Sequence, residues 1–302
     1  MSNAVMSDKK VGGIHRYGSR HWVGDGFPVR NLIPGNTVGE QLSPFLLLDY
    51  AGPENFSPTD TPRGVGEHPH RGFETVTIVY DGVVAHRDST GSGGVIGPGD
   101  VQWMTAASGI VHEEMHEREW AKKGGTFQAI QLWVNLPRAH KMSSPGYQTL
   151  LKADIPVVEL AGGAGYLRVI AGEFRGASET MPCGIRWPAK TFTPVHLYDV
   201  HVKAGHAAEI AVPAGFNTAV FVLQGNLSVN GSGQAQEAEL VQLDKLGKRI
   251  TLKATADTIL LVLSGEPIDE PIARYGPFVM NTKAELIQAV NDYQAGKMGH
   301  LS

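Results

Sequence analysis

The chain has 302 residues, with 26 lysines and arginines against 30 aspartates and glutamates, and its formal net charge is −4. Because the charges are nearly balanced and the lysines and arginines form no basic stripe, nucleic acid is not expected as the main partner. A single cysteine excludes an intrachain disulfide and a thiolate zinc site, no charged-then-apolar leader opens the chain, and no apolar run is long enough to span a membrane. We therefore expect a cytoplasmic protein with room for two domains of ordinary size.

Short strand-like segments separated by turn signals follow one another along the chain. Together with 37 glycines and 18 prolines, they predict an all-β fold. The predicted strands cover residues 45–48, 75–80, 83–87, 101–104, 127–134, 195–203, 207–212, 218–223, 227–229, 249–252 and 258–263. One helix is predicted near the end, over residues 283–293, with Asn281 and Thr282 at its start.

Histidines at alternate positions mark the candidate site. His68 and His70 are two residues apart beside a predicted strand, and such residues project to the same face of a strand. Glu74 shares that face only if the alternation is unbroken. Further along, His112 and Glu114 repeat the same spacing. Three imidazoles and a carboxylate converging from two strands predict a metal site.

The two halves of the chain resemble each other. Residues 75–82 and 218–225 are both apolar strands that end at a turn glycine. At that offset, the first candidate site falls on Ala211, Pro213 and Asn217, which contain no imidazole or carboxylate. We therefore predict a duplicated barrel, with a metal site in the first barrel and no metal in the second. Chance similarity between two strands is the alternative interpretation.

The motifs around these residues resemble a known family. A glycine, His-x-His-x-x-x-Glu, a Pro-Gly turn and a later histidine form the cupin pattern, and residues 68–76, 99–106, 109–115, 131–137 and 276–282 resemble motifs of the pirin family. The resemblance covers roughly residues 11 to 298. It implies two stacked cupin β-barrels (a bicupin) with a short C-terminal helix. The expected domains are a metal-binding barrel at 11–140 and a metal-free barrel with the terminal helix at 145–298.

Carried over to this sequence, the pirin ligands fall on His68, His70, His112 and Glu114. Spacing alone leaves Glu74 open as the fourth ligand, because many cupins use a glutamate at that position. Glu114 lies two residues from His112 and shares its face, so we expect Glu114 to be the ligand.

Other residues near these motifs are expected to shape a pocket. Phe73, Trp103 and Met104 are candidate walls for a flat aromatic ligand, and Glu74 is a candidate pocket carboxylate. Ordinary barrel core is the alternative interpretation of the three apolar side chains, and a solvated strand end is that of Glu74. Pro69 cannot donate to a sheet ladder, so its segment should be an edge strand or a bulge.

The donor set indicates the metal. Three neutral imidazoles and one carboxylate include no soft sulfur, and four protein ligands leave two positions of an octahedron open. Such sites favour Fe(II) chemistry with O2. We expect one divalent metal, Fe(II), with Mn, Ni, Co and Zn as alternatives.

The resemblance also implies a reaction. Pirins resemble quercetinases, cupin dioxygenases that open the central ring of a flavonol with O2 and release carbon monoxide. The substrate's 3-hydroxyl must lose a proton, and Glu114 is the expected base. The alternative is a non-catalytic, iron-binding regulator that acts through a protein partner. A sugar-binding or isomerase cupin is disfavoured because the motifs resemble pirin over the whole chain.

Overall fold

A computed structural model of the protein describes residues 7–16, 19–33, 41–174, 185–186 and 188–301. About 54% of the described residues form strands, which confirms the all-β prediction. The helices with described bounds are α1 (Arg118–Lys123) and α2 (Lys283–Gln294). None of the helices in these ranges is both long and apolar enough to cross a membrane.

The strands are short, and most join their neighbours through tight turns. In chain order they are β1 (Val11–Arg16), β2 (His21–Val23), β3 (Phe27–Asn31), β4 (Phe45–Phe56), β5 (Gly64–His70), β6 (Phe73–Asp81), β7 (Val84–Asp88), β8 (Gly93–Ile96), β9 (Val101–Thr105), β10 (Ile110–His116), β11 (Gly125–Asn135), β12 (Gly146–Leu150), β13 (Val157–Glu159), β14 (Gly165–Ala171), β15 (Glu173–Phe174), β16 (Ile185–Arg186), β17 (Val195–Val202), β18 (Ala207–Ala211), β19 (Asn217–Gln224), β20 (Asn226–Val229), β21 (Gly233–Gln236), β22 (Glu239–Leu243), β23 (Arg249–Ala254), β24 (Thr258–Gly265), β25 (Ala273–Tyr275) and β26 (Phe278–Met280). Single 3₁₀ turns lie at Arg138–His140, Lys152–Asp154 and Ala161–Gly163.

The chain forms two compact units. One unit comprises the described residues within Gly18–Glu40, Phe45–Lys152 and Ile268–Ser302. It contains a seven-stranded sheet in the order β12-β9-β6-β11-β4-β3-β2 and a four-stranded sheet in the order β5-β10-β7-β8. Because β5 pairs only with β10 in its sheet, Pro69 lies on an edge strand, as predicted.

The other unit comprises the described residues within Met1–Tyr17, Gln41–Pro44 and Ala153–Pro267. Its sheets have the orders β1-β22-β19-β24-β17-β14-β13 and β18-β23-β20-β21. Apolar side chains such as Leu167 and Val262 fill its core.

Strand β1 departs from the predicted domain limits of 11–140 and 145–298. It was expected in the first barrel, yet the structure pairs it with β22 of the other unit, with Ile14 opposite Val241. Ile14 also packs against that unit's apolar core. The hydrophobic contact and the ladder together determine where this strand belongs.

Helix α2 also departs from its predicted assignment, although its bounds follow the prediction. A capping box between Thr282 and Glu285 begins it. The helix belongs to the unit of β2–β12 rather than to the second barrel. The preceding strand bonds to that unit, since the amide of Val279 donates to the carbonyl of Arg71 at 3.0 Å. An apolar cluster completes the contact: Val111, Phe278, Met280, Leu286, Ala289 and Met298.

Candidate metal centre

Three histidines converge between two neighbouring antiparallel strands. His112 on β10 lies directly opposite His68 on β5, and His70 follows on the same strand. One ligand nitrogen from each of these imidazoles lies within 4.8 Å of the other two. His70 and His112 are buried, whereas His68 is partly exposed. The structure therefore brings together the three predicted histidines.

Backbone carbonyls orient two of the three rings. Nδ1 of His68 lies 2.8 Å from the carbonyl of Gly66, and Nδ1 of His70 lies 3.4 Å from the carbonyl of Pro277. A carbonyl oxygen can only accept, so Nδ1 carries the proton on both rings. In the neutral form of each ring this tautomer leaves the lone pair of Nε2 for a metal, which is the usual arrangement of ligating histidines.

His112 is oriented by another histidine. Its Nδ1 lies 3.0 Å from Nε2 of His86, while its own Nε2 is buried and has no hydrogen-bond partner among the described residues. The ring of His86 stacks on Tyr147 at 5.0 Å. An unpartnered, buried nitrogen is costly unless something binds it. A metal held by the three Nε2 atoms satisfies His112, and the residues present thus fit a divalent cation.

The two buried imidazoles, His70 and His112, are already in the protonation state that a metal requires. Burial, reinforced by the neighbouring His68, lowers the pKa of His70 to about 3. Burial and the surrounding histidines also hold the pKa of His112 well below its usual value. Both rings are therefore neutral at pH 7, and no proton needs to leave them before a metal binds.

Glu114 lies at the same site but outside the histidine cluster. Its side chain is buried and lines the same cavity as His68 and His70. Thr77 Oγ1 donates to its Oε1 at 3.1 Å, and Gln131 Nε2 donates to its Oε2 at 2.8 Å. Thr77 and Gln131, which the sequence analysis did not identify, therefore orient the carboxylate towards the cavity.

The cavity has a volume of about 320 Å³. Most of its wall is apolar and includes the rings of Phe27 and Trp133. Its polar lining consists of Asp49, His68, His70, Thr77, Glu114 and Gln131. Binding sites for small molecules have this character, an apolar chamber with a few convergent polar groups.

Glu74 does not reach this cavity, contrary to the predicted pocket. It sits opposite Thr105 and Val134, whereas the adjacent Thr75 faces Trp133 on the cavity side. Gly72 explains the difference, because its φ of +89° breaks the alternation between β5 and β6. A side chain there would place its Cβ 1.9 Å from a backbone oxygen, so the break requires glycine.

The three predicted apolar walls are also absent from the cavity lining. Phe73 packs behind the site, with its ring 4.2 Å from Trp133. Met104 joins a separate apolar cluster next to Tyr147. Trp103 lies opposite Val76, on the face of the sheet that carries Glu74. Of the two interpretations, buried core is the one that matches these positions.

The buried Glu74 makes stability depend on pH. Burial raises its pKa from 4.5 to about 7, although Thr105 donates to it at 2.7 Å. Between these pH values the folded state binds more protons than the unfolded state, so the free energy of unfolding falls as pH rises. We expect Glu74→Gln to match the wild type near pH 4.5 and to exceed it by about 3 kcal/mol at pH 8. Urea unfolding of the metal-free proteins measures this, and a difference that does not vary with pH would contradict it.

His86 is expected to determine metal affinity without touching the metal. His86→Phe removes the acceptor for Nδ1 of His112, and loss of such an orienting partner typically weakens metal binding about 10- to 100-fold. His86→Gln retains an acceptor and should recover part of the affinity. Chelator competition measures both variants. Wild-type affinity in His86→Phe would show that His112 needs no partner.

Three histidines of the other unit, His196, His201 and His206, are engaged elsewhere. Nδ1 of His196 lies 2.9 Å from the hydroxyl of Tyr198, and His201 stacks on Tyr166 at 4.3 Å. His206 contacts a backbone carbonyl at 3.0 Å. Within the described ranges, the only cluster with metal-ligand spacing is that of His68, His70 and His112. A metal-free second barrel stays a prediction.

Comparison with known proteins agrees with this architecture. The family model described as Pirin matches residues 26–134, and that of the Pirin C-terminal cupin domain matches residues 197–299. A Pseudomonas aeruginosa protein named "Putative quercetin 2,3-dioxygenase" is 56% identical over 96% of this chain and 98% of its own length. The two-barrel, cupin-type fold of the sequence analysis is thus confirmed.

Solved structures give the same result. The crystal structure of quercetin 2,3-dioxygenase from Acinetobacter baumannii has a TM-score of 0.92 and 48% identity, covering 98% of this chain and 100% of that one. A bacterial pirin from Escherichia coli, solved in complex with nickel(II), shares the fold with a TM-score of 0.60 and 18% identity over 84% of this chain and 99% of that one. On the matches to both of its domains and to relatives over nearly its whole length, this chain belongs to the pirin family.

Proposed function

We propose that this protein is a metal-dependent dioxygenase of the quercetin 2,3-dioxygenase type, which acts on a flavonol-like substrate. The observation that carries the proposal is the convergence of three imidazoles, two of which line a cavity of about 320 Å³ together with the carboxylate of Glu114. That volume lies near the lower end of the range for small-molecule sites. The names of the Pseudomonas and Acinetobacter relatives support the same reaction class.

In this proposal, His68, His70 and His112 hold the metal through Nε2, and Glu114 completes the donor set. No sulfur is present, and the donors are those that suit Fe(II), with Mn, Ni, Co or Zn as alternatives. When bound, such a metal would supply Lewis acidity towards a substrate hydroxyl and the redox chemistry that a reaction with O2 needs. The protein supplies the binding, the orientation and the route of the proton.

The cavity wall performs the binding. Phe27 and Trp133 place aromatic surface beside the histidines, and the remaining wall is mostly apolar. A flat aromatic ligand that fills this space displaces water from the site. Removing the apolar surface of the ligand from water is itself favourable. Exclusion of water also strengthens the interaction between the carboxylate and the hydroxyl proton that it must accept.

Glu114 removes that proton. Its two oxygens are held by Thr77 and Gln131, so the carboxylate is fixed at the cavity wall before substrate binds. A base positioned in this way contributes about 10²- to 10⁴-fold to a rate. After proton transfer, the neutral carboxylic acid can keep both of these neighbours through its remaining lone pairs.

The function is tested by turnover. Protein loaded with Fe(II) or Mn(II) is mixed with quercetin in air, and loss of flavonol, O2 uptake and carbon monoxide are measured together. We expect carbon monoxide in a one-to-one ratio to flavonol consumed, and none from protein treated with a chelator. No carbon monoxide under any metal loading would favour a metal-binding regulator that acts through a protein partner.

A further inference from the structure

We propose that Asp49 forms a polar subsite of the cavity, next to its apolar wall. This subsite accepts a hydrogen bond from a hydroxyl group on the outer part of the aromatic substrate. The inference rests on the proposed function, since it concerns the ligand of the same cavity. In this role, Asp49 distinguishes ligands that carry an outer hydroxyl group from ligands that lack one. Asp49 is not a metal ligand in this proposal.

The strand register places Asp49 in a row of polar side chains. Thr77 on β6 lies opposite Gln131 on β11, and Gln131 lies opposite Asp49 on β4. Asp49 in turn lies opposite Asn31 on β3. Directly opposed residues share a face, and neighbouring strands are about 4.8 Å apart. The row therefore begins at the two residues that hold Glu114 and extends to Asp49, one strand beyond.

Asp49 keeps hydrogen-bonding capacity for a ligand. Asn31 Nδ2 donates to its Oδ1 at 2.7 Å, and no other hydrogen bond to its carboxylate occurs among the described residues. Burial raises the pKa of Asp49 to about 6, opposed by the Asn31 hydrogen bond and by His21. The group is thus mainly ionised at pH 7 and can only accept hydrogen bonds. Its matching ligand group is a hydroxyl donor.

The surroundings make such a donor valuable. Phe27, Val29 and Ala51 line the cavity beside Asp49 and offer no polar group. A carboxylate with spare acceptor capacity in such a place is unfavourable when an apolar ligand displaces its water. A ligand with a hydroxyl there restores the lost bond, and one without leaves the carboxylate unsatisfied. Sites of this kind reject the analogue that lacks the group.

Two flavonols that share the chelating unit separate this role from the metal. Quercetin and 3-hydroxyflavone both carry the 3-hydroxyl and 4-keto oxygens, but only quercetin has hydroxyls on its outer rings. Dissociation constants are measured anaerobically by fluorescence quenching on metal-loaded wild type, Asp49→Leu and Asp49→Asn. Metal content and circular dichroism of each variant are checked first. Asp49→Asn keeps an acceptor and the shape of the side chain, so it remains informative if Asp49→Leu does not fold.

For quercetin, we expect Asp49→Leu to bind about 10- to 100-fold more weakly, as for loss of a hydrogen bond to a charged group, with a smaller loss for Asp49→Asn. For 3-hydroxyflavone, we expect both variants to bind as tightly as wild type or more tightly. An equal loss for both flavonols, or no loss for either, would overturn the subsite. If the wild type binds neither quercetin nor 3-hydroxyflavone, the proposed function is overturned, and the subsite with it.

Discussion

His112→Ala is expected to abolish stoichiometric metal binding while the protein stays folded. The wild type should hold one metal per chain and the variant close to none. His112 is buried at the centre of the cluster, and its unpartnered Nε2 is the nitrogen that a metal would satisfy. Its removal leaves two imidazoles where three converge. The apolar clusters that stabilise the unit do not include His112, so we expect them to remain in place in the variant.

Metal analysis of the purified proteins, with circular dichroism as the folding check, measures this effect. His68→Ala gives the same test at a partly exposed position, where truncation leaves a smaller cavity. His206→Ala is the matched control, because His206 lies in the other unit and its ring contacts the backbone carbonyl of Ala204. Normal metal content in His112→Ala, or more than one metal per wild-type chain, would contradict the assignment.

Glu114→Gln is expected to lose about 10²- to 10⁴-fold in flavonol turnover and far less in metal content. The amide keeps an oxygen that can face the metal, but it cannot accept the hydroxyl proton. Gln131 donates to Oε2 of Glu114 at 2.8 Å, and the variant's amide can still offer its oxygen to that donor. The local structure is therefore preserved while the base is lost.

Turnover must be compared at matched metal content. Glu113→Gln is the control: this neighbour projects to the opposite face, where Oε1 accepts from Arg87 at 2.5 Å. We expect it to retain most of the wild-type rate. If Glu114→Gln turns over quercetin as fast as the wild type, Glu114 is not the base.

The sequence predicts the three histidines because their convergence depends on local geometry. Alternation within a strand puts His68 and His70 on one face, and β5 and β10 need only pair for His112 to join them. The same alternation gives the wrong face for Glu74, because the positive φ of Gly72 interrupts it. The backbone oxygen that requires glycine there belongs to Val279, which is distant in the sequence. Spacing predicts a shared face only when the strand is continuous.

Cross-strand neighbours could not be read from the sequence. His86 and Asp49 lie in predicted or partly predicted strands, yet their roles depend on which strand pairs with which and in what register. The alternation of polar residues at His86 and Asp88 is only a weak indication in the sequence that His86 contributes to a site. The positions of β1 and α2 depend likewise on long-range packing, which local periodicity does not predict.

The metal centre is tested most directly by anomalous diffraction from crystals of the metal-loaded protein, recorded on either side of the metal's absorption edge. We predict one strong peak per chain, placed between the Nε2 atoms of His68, His70 and His112, with Glu114 at its side. Occupancy should vanish in His112→Ala crystals and persist in those of His206→Ala. A peak elsewhere in the chain, or coordination through Nδ1 of these histidines, would contradict the account.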